Sequence, residues 1–143
     1  MPDPQSTNLP TLASNGQSLT IAEEQSRELA FLIAKAADDR KGGDITILRV
    51  ADVSYLADYF VLVTGFSNVQ VRAISRTIED VTEEKLQRHP LRIEGISESS
   101  WILQDYGDVI VHIFLPQERE FYNLEAFWGH GERIYFSELA DQN

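Results

Sequence analysis

The sequence predicts an α/β (α+β) fold in which a mixed five-stranded sheet is flanked by helices. Apolar residues recur at helical spacing in two long segments, one between Thr20 and Gly42 and one that ends before Pro90. Five short runs rich in β-branched and aromatic residues lie between or after them, separated by Gly, Pro and polar residues. A chain of 143 residues is long enough to bury one core of this layered kind.

Composition excludes several kinds of site. The chain has no cysteine, which rules out thiol catalysis, cysteine-ligated zinc and disulfide bridges. It carries 23 acidic and 12 basic residues, and the net charge of -11 disfavours direct binding to DNA or RNA. This acidity suits a basic protein partner, or it simply keeps the chain in solution. Because there is no apolar run of membrane-spanning length and no secretory signal, we expect no membrane association and a cytoplasmic location.

The chain ends predict tails on either side of one domain. Residues 1–18 combine three of the five prolines with Ser, Asn and Gln and lack periodic apolar positions, which predicts a disordered tail. Residues 137–143 predict a polar carboxyl-terminal tail. We therefore place the folded domain at residues 19–136.

The first helix and strand have clear boundary signals. Thr20 and Glu23 have the spacing of a capping box, which predicts a helix start at Thr20. Gly42 and Gly43 are expected to end this helix by supplying a flexible backbone. Residues 44–50 follow as a β-branched run and predict the first strand.

The central strand and second helix come next. Residues 58–64, DYFVLVT, are almost continuously apolar, which predicts a strand buried on both faces at the middle of the sheet. Ser67 and Gln70 repeat the capping-box spacing, and a helix is predicted over about residues 68–88. Pro90 is expected to end it, because the residue before proline avoids helical angles.

The carboxyl-terminal half predicts a hairpin and a lid. Residues 91–94 alternate in polarity and predict an edge strand. Residues 101–104 and 109–115 predict two strands joined by a tight turn that contains Gly107. Pro116 separates the second strand from an aromatic-rich segment, which we expect to be a helical or irregular lid.

The polar candidates for chemistry each have a simpler structural interpretation. Residues 65–68, GFSN, offer a helix amino terminus to an anion, but a plain helix cap is favoured because no Walker lysine or further glycine follows. Asp105 and Asp108 flank a hairpin glycine, which is typical of turn residues rather than metal ligands. His112, on a strand beside aromatic residues, is more often structural or interfacial than catalytic. We predict no catalytic residue, no metal site and no cofactor.

Aromatic side chains are unusually concentrated near the carboxyl terminus: Trp101, Tyr106, Phe114, Phe121, Tyr122, Phe127 and Trp128. Core filling is expected for Phe114 and for one of Phe121 or Phe127. The Trp and Tyr residues exceed what one small core easily hides, and such residues dominate binding hot spots at ~2 kcal/mol or more each. An aromatic interaction face is therefore predicted. Strand alternation places His112 and Phe114 on the same face of the sheet.

Three ordered motifs carry a family resemblance. They are ADYFVLVTGFSNVQVRAI at residues 57–74, WILQDYGDVIVHIF at residues 101–114 and EREFYNLEAFWG at residues 118–129. Together they closely resemble the Iojap family of ribosomal silencing factors. The resemblance implies a translation repressor, usually a homodimer, that binds the large ribosomal subunit through ribosomal protein fourteen of that subunit. It further implies that steric occlusion, and not catalysis, prevents the small subunit from joining, especially when nutrients are scarce.

Two other functions compete with this one. The family fold is related to that of nucleotidyltransferases, which need a Gly-Ser turn followed by two metal-binding carboxylates on a strand. Here Gly65 and Ser67 are followed by a helix, so the fold is expected to be nucleotidyltransferase-like without the catalytic carboxylates. The third alternative is a dimeric adaptor that does not bind ribosomes. The acidic charge favours the first function, because an acidic body is repelled by exposed rRNA and attracted to a basic ribosomal protein.

The predicted partner-binding residues join the motif match to side-chain chemistry. Glu118 and Glu120 are expected at the rim of the interface, where they can pair with Arg or Lys. The other predicted interface residues carry a ring and lie in the two carboxyl-terminal motifs: Trp101, His112, Phe114, Tyr122 and Trp128.

Overall fold

The computed structural model describes residues 11–12, 18–52, 54, 57–128 and 132–135, and it confirms the predicted α/β (α+β) class. The helices are α1 (Ile21–Asp39), α2 (Asn68–Leu86), α3 (Pro116–Tyr122) and α4 (Leu124–Phe127). The strands are β1 (Thr11–Leu12), β2 (Ser18–Leu19), β3 (Gly43–Arg49), β4 (Tyr59–Thr64), β5 (Arg92–Glu94), β6 (Trp101–Asp105), β7 (Val109–Phe114) and β8 (Glu132–Tyr135).

Six of these strands form one mixed sheet in the order β5-β6-β7-β4-β3-β8. β4 and β7 are parallel, with Tyr59 opposite Val109, and every other neighbouring pair in this sheet is antiparallel. The five predicted strands are all present, and β4 occupies the interior of the sheet as expected. β8 is an addition at the edge, where Tyr135 lies opposite Thr46 of β3. Its four residues are too few to show strand alternation in the sequence.

The predicted tails lie mostly beyond the described residues. All of residues 137–143 and most of residues 1–18 are in this category, so both tails and the domain boundaries remain predictions. The described part near the amino terminus contains a separate antiparallel pair, in which Thr11 of β1 lies opposite Leu19 of β2.

α1 begins where the capping box predicts it. The Thr20 hydroxyl accepts a hydrogen bond from the Glu23 backbone N–H at 3.0 Å. The helix ends through a different residue from the one expected, because Lys41 takes the left-handed conformation, with φ of 65°. Gly42 is required for space instead, since a Cβ there would lie 2.7 Å from Val63 Cγ1. Gly42 therefore marks close packing against β4 and not a flexible helix stop.

The start of α2 has the predicted helix cap. Ser67 Oγ accepts from the Gln70 N–H at 3.0 Å, and Gln70 Oε1 accepts from the N–H of Phe66, the residue before the cap, at 2.7 Å. The favoured helix cap at Ser67 is therefore present. α2 ends two residues earlier than predicted, through left-handed Gln87 with φ of 52°, and so does not depend on Pro90.

The sheet has two apolar faces. α1 and α2 cover one of them, which we call the helix face, and its core includes Ile33, Val61, Ile74, Val111 and Ile113. The opposite face, which we call the lid face, carries the buried side chains Leu48, Val50, Ala57, Phe60, Leu62 and Phe114, with Leu124 and Trp128 packed against them. The predicted alternation along β7 is confirmed, because Val111 and Phe114 fall in different cores.

A buried polar network fixes β6 to α2. The Gln104 side chain is fully buried, and its Nε2 donates to Ser75 O and Ser75 Oγ, each at 2.9 Å. Its Oε1 accepts from the Tyr106 hydroxyl at 3.0 Å, and that hydroxyl lies 3.1 Å from Thr82 Oγ1. Because Gln104 points to the helix face, alternation directs Trp101 of the same strand to the lid face.

Substitutions at two glycines, one before the hairpin and one in its turn, test how closely the backbone packs there. Gly95 and Gly107 both have positive φ, 90° and 93°, but an added Cβ at Gly95 would overlap the Trp101 carbonyl oxygen. At Gly107 the nearest atom would be Leu91 Cδ1 at 3.3 Å. We expect Gly107→Ala to lower the free energy of unfolding by about 1 kcal/mol and Gly95→Ala by roughly 3 kcal/mol or more. Urea denaturation measures both, and equal losses would contradict this steric account.

Candidate functional site

Six ring-bearing side chains pack together on the lid face, and we call them the aromatic cluster: Phe60, Trp101, His112, Phe114, Tyr122 and Trp128. The ring centroid of Trp101 lies 4.7 Å from that of Tyr122 and 5.5 Å from that of Phe114. His112 is 5.8 Å from Trp101, and Phe60 is 5.1 Å from Trp128. The structure therefore brings together all five ring-bearing residues that were predicted for the interface.

Burial divides the aromatic cluster into a floor and a rim. Phe114 is fully buried and His112 is only 6% exposed, so both belong to the core of the free protein. Trp101 and Trp128 are half-buried. Tyr122 is 52% exposed, and the neighbouring Phe121 is 80% exposed and stacks edge-on against it at 4.9 Å. Strand β7 thus supplies the floor, which consists of His112 and Phe114. Helix α3 supplies the rim, which consists of Phe121 and Tyr122 and which a partner can reach.

The core prediction is confirmed for Phe114, and of the pair Phe121 or Phe127 it leaves Phe127 as the remaining candidate. Phe114 is fully buried, whereas Phe121 is on the outer side of α3. The side chain of Phe127 is not among those described. On this helix of seven residues, one side faces the sheet and the other faces water. Composition alone therefore does not show which rings are buried and which are exposed.

His112 is the polar centre of the floor. Trp101 Nε1 donates a hydrogen bond to His112 Nδ1 at 3.1 Å, which places the proton of the neutral ring on Nε2. Burial among aromatic rings lowers the pKa of His112 from 6.5 to about 4, because the charged imidazolium loses its hydration there. A protonated Nδ1 would also lose the bond from Trp101. His112 is therefore a neutral structural acceptor that orients Trp101, as its strand setting indicated.

Glu118 and Glu120 lie on α3 as predicted, but in different surroundings. Glu120 is exposed and lines a cleft of about 550 Å³ beside the lid, together with Phe66, Asn123 and other residues. Glu118 is half-buried, and its Oε1 is buried with no hydrogen-bond partner among the described residues. A buried carboxylate oxygen without a hydrogen bond is unfavourable, and a hydrogen bond from a donor stabilises it.

Arg119 lies between these two acids and was missed in the sequence. Its side chain points inward, and the residue is only 8% exposed. Nη1 donates to Thr64 Oγ1 at 2.9 Å, and Nη2 donates to Thr46 Oγ1 at 3.2 Å and to Glu125 Oε2 at 2.8 Å. The only hint in the sequence is its place between two acids in the motif EREFY, where a solvated charge run is the ordinary interpretation.

The hairpin carboxylates have structural roles. Asp105 Oδ1 accepts from the Gly107 N–H at 2.8 Å, which confirms a turn residue. Asp108 accepts from Arg88 Nη2 and from Ser26 Oγ, each at 2.8 Å. Burial alone would raise the pKa of Asp108, but these hydrogen bonds and the Arg88 charge hold it below its usual value. Asp108 thus ties the start of β7 to α1 and to the segment that follows α2.

Within the part of the chain that the structure describes, no three His, Asp or Glu side chains gather closely enough to hold a metal ion. None of the helices described there combines the length and apolar character needed to cross a bilayer. The best-formed grouping of side chains is therefore the aromatic cluster with its acidic and arginine neighbours on α3.

Comparison with known proteins identifies the family. The family model described as "Ribosomal silencing factor during starvation" matches residues 23–143. The chain belongs to this family. Among its relatives, "Ribosomal silencing factor RsfS" of Bacillus subtilis (strain 168) is 43% identical over 103 residues, which cover 72% of this chain and 86% of that protein. The family resemblance drawn from the three sequence motifs is therefore confirmed.

Two other relatives are longer. "Protein Iojap, chloroplastic" of Zea mays is 41% identical over 115 residues, which cover 79% of this chain but 50% of the maize protein. A Mus musculus protein named "Mitochondrial assembly of ribosomal large subunit protein 1" is 31% identical over 87 residues, which cover 59% of this chain and 38% of the mouse protein. The chain thus spans half or less of these two relatives. None of the three names describes an enzyme.

The fold is shared with a solved structure. A crystal structure of a protein from Chromobacterium violaceum aligns with a TM-score of 0.69 at 35% sequence identity, covering 72% of this chain and 85% of that one.

The buried imidazole predicts a pH-dependent stability. The unfolded chain takes up the His112 proton near pH 6.5 and the folded protein only near pH 4, so stability present at pH 7 is lost as the pH falls between those values. Between pH 7 and pH 4.5 we expect the wild type to lose about 2 kcal/mol more unfolding free energy than His112→Asn, which does not titrate. Denaturant titrations at several pH values measure this difference.

The exposed His89, which pairs with Glu83, is replaced by Asn in both proteins, so that among these two histidines His112 alone differs between them. Parallel stability curves for the wild type and His112→Asn would contradict the assignment of a neutral, buried His112.

Proposed function

We propose that this silencing factor represses translation by binding the large ribosomal subunit through ribosomal protein fourteen of that subunit. It would act in the cytoplasm and occupy the face on which the small subunit docks, so that steric occlusion prevents the subunits from joining under nutrient limitation. Family membership supports a ribosomal role, and the name of the mouse relative supports the large subunit. The single observation that carries the docking surface is the exposed aromatic rim of α3, stacked on Trp101.

The rim has the properties of a binding hot spot. Tyr122 and Phe121 present ring surface to water, while Trp101 and the buried floor hold them from below. Aromatic residues of this kind bury 150–250 Å² each and supply much of the energy of protein interfaces. Because Tyr122 already packs on Trp101 in the free protein, little ordering is needed when a partner covers it.

Charge supports a basic protein partner on an RNA-rich particle. The net charge of -11 repels phosphate groups, so a patch of rRNA is a poor target. Glu120 is exposed beside the rim and can pair with an incoming Lys or Arg, and the half-buried Glu118 adds negative charge on the same helix. Acidic side chains around an aromatic patch thus select for a basic protein surface.

The proposed action needs no bond-making step. A repressor of this type works as long as it remains bound, so its effect depends on affinity and abundance and requires no catalytic residue or cofactor. We also propose that the chain forms a homodimer, as the family resemblance implies, and that residues 19–136 form the domain that docks. Sedimentation equilibrium of the purified chain tests the dimer.

Removal of the rim ring tests the docking surface. We expect Tyr122→Ala to weaken binding to purified large ribosomal subunits about 30-fold, equivalent to about 2 kcal/mol, because an exposed hot-spot ring is lost. Co-sedimentation at a series of protein concentrations measures the affinity, and circular dichroism confirms folding. If folded Tyr122→Ala co-sediments as tightly as the wild type, docking through the aromatic rim is wrong.

Leu91→Ala is the matched control for this experiment. Leu91 is 76% exposed and lies beside Gly107 at the other end of the hairpin from Trp101. Its truncation removes a similar amount of apolar surface far from the rim, so it should bind as the wild type does. A second measurement follows subunit joining, in which large subunits preincubated with Tyr122→Ala should join small subunits more readily than those preincubated with wild type.

A further inference from the structure

The exposed rim stands on a helix that is too short to be stable by itself. α3 has seven residues and α4 has four, whereas isolated helices need roughly 12–15 residues to persist in water. Leu115 at the amino terminus of α3 supplies no side-chain cap. Contacts with the sheet must therefore hold these helices in the orientation that packs Tyr122 on Trp101.

Arg119 supplies the main polar contact of that kind. Its guanidinium reaches Thr64 on β4, Thr46 on β3 and Glu125 on α4, with all three donor–acceptor distances between 2.8 and 3.2 Å. Its Cζ also lies 5.8 Å from the centre of the Phe114 ring, in the floor of the aromatic cluster. One side chain thus joins both short helices to two strands.

The chemistry of arginine explains why this residue type is used. A guanidinium is planar and offers five N–H donors in a fixed fork, so it can bond to several acceptors at once and lie against a ring. A lysine at the same place has three donors on one atom and cannot reach acceptors on both sides. The charge of Arg119 is balanced by Glu125, whose carboxylate lies 2.8 Å away.

We propose that Arg119 is a positioning residue for ribosome docking, which fixes α3 and α4 on the sheet so that Tyr122 is presented in a preformed rim. This inference rests on the proposed function. Buried ion pairs often contribute little net stability, because desolvation offsets their attraction. Their contribution to a single, ordered geometry can be larger, and a preformed surface binds more tightly because less freedom is lost on association.

A double-mutant cycle tests this role. We expect Arg119→Met to weaken binding to purified large subunits about tenfold, since the rim is no longer held in place. In a Tyr122→Ala background the same change should weaken binding by less than about threefold, because Arg119 acts through the ring that is already gone. Affinities are measured at a temperature where circular dichroism shows every variant to be folded, so that loss of stability alone does not change them.

Arg76→Met is the matched control, because Arg76 is exposed on α2, which packs on the helix face. It should bind as the wild type does. If Tyr122→Ala binds normally, the proposed docking surface itself is wrong. If Tyr122→Ala binds weakly but Arg119→Met binds normally, or if the two losses multiply in full, the positioning role of Arg119 is overturned.

A second pair of variants covers the case in which Arg119→Met does not fold. Thr64→Val removes one acceptor of the Arg119 guanidinium while keeping the size of the side chain. Thr77→Val removes an equivalent acceptor from Arg40, whose Nε donates to Thr77 at 2.8 Å on the remote helix face. We expect Thr64→Val to weaken binding about threefold and Thr77→Val to have no effect. Equal affinities for these two variants would overturn the proposal.

Discussion

Burial of β4 on both faces is the constraint on which the rest of the structure depends. All six of its residues are buried, so each face of the sheet needs a cover. On the helix face, two helices of 19 residues provide it. On the lid face, the described chain provides α3 and α4, of seven and four residues, and large rings compensate for the shorter helices. Among the described residues this cover is incomplete, and Trp101 and Trp128 are half-buried.

Hydrogen bonds from neighbouring elements are made at both ends of the parallel pair β4 and β7. At their amino ends, Asp108 accepts from Arg88, which follows α2, and from Ser26 in the second turn of α1. At their carboxyl ends, Arg119 bonds to Thr64 and holds the lid. The aromatic cluster lies on the lid face beside the Arg119 hydrogen bond, and its outer member Tyr122 belongs to the short helix α3.

Much of this architecture could be predicted from the sequence because the signals are local. The apolar run of β4, the two helix caps and the hairpin around Gly107 each depend on neighbouring residues, and alternation correctly assigned His112 and Phe114 to one face. The aromatic cluster was foreseen as a group for the same reason. Local patterns, however, did not divide these rings into floor and rim, and Phe121 was a candidate for the core until the structure placed it outside.

The features that escaped prediction depend on residues far apart in the chain. Arg119 is buried because Thr46 and Thr64, more than 50 positions earlier, supply its acceptors, and no local pattern records that distance. β8 exists because β3 offers an edge for pairing, and its own four residues carry little signal. Lys41 adopts the left-handed conformation at the end of α1, and Gly42 instead packs closely against Val63, so the expected role of the glycine was wrong for a tertiary reason.

The acidity of the chain has a consequence for its behaviour when no partner is present. Exposed rings such as Phe121 and Tyr122 associate with other apolar surfaces in water. Copies of the chain that met rim to rim would therefore aggregate. A net charge of -11 opposes this encounter, because like-charged molecules repel one another over about 10 Å at 0.1 M salt. The charge that would select a basic surface in the proposed function therefore also opposes aggregation through the exposed rim, and added salt weakens both effects together.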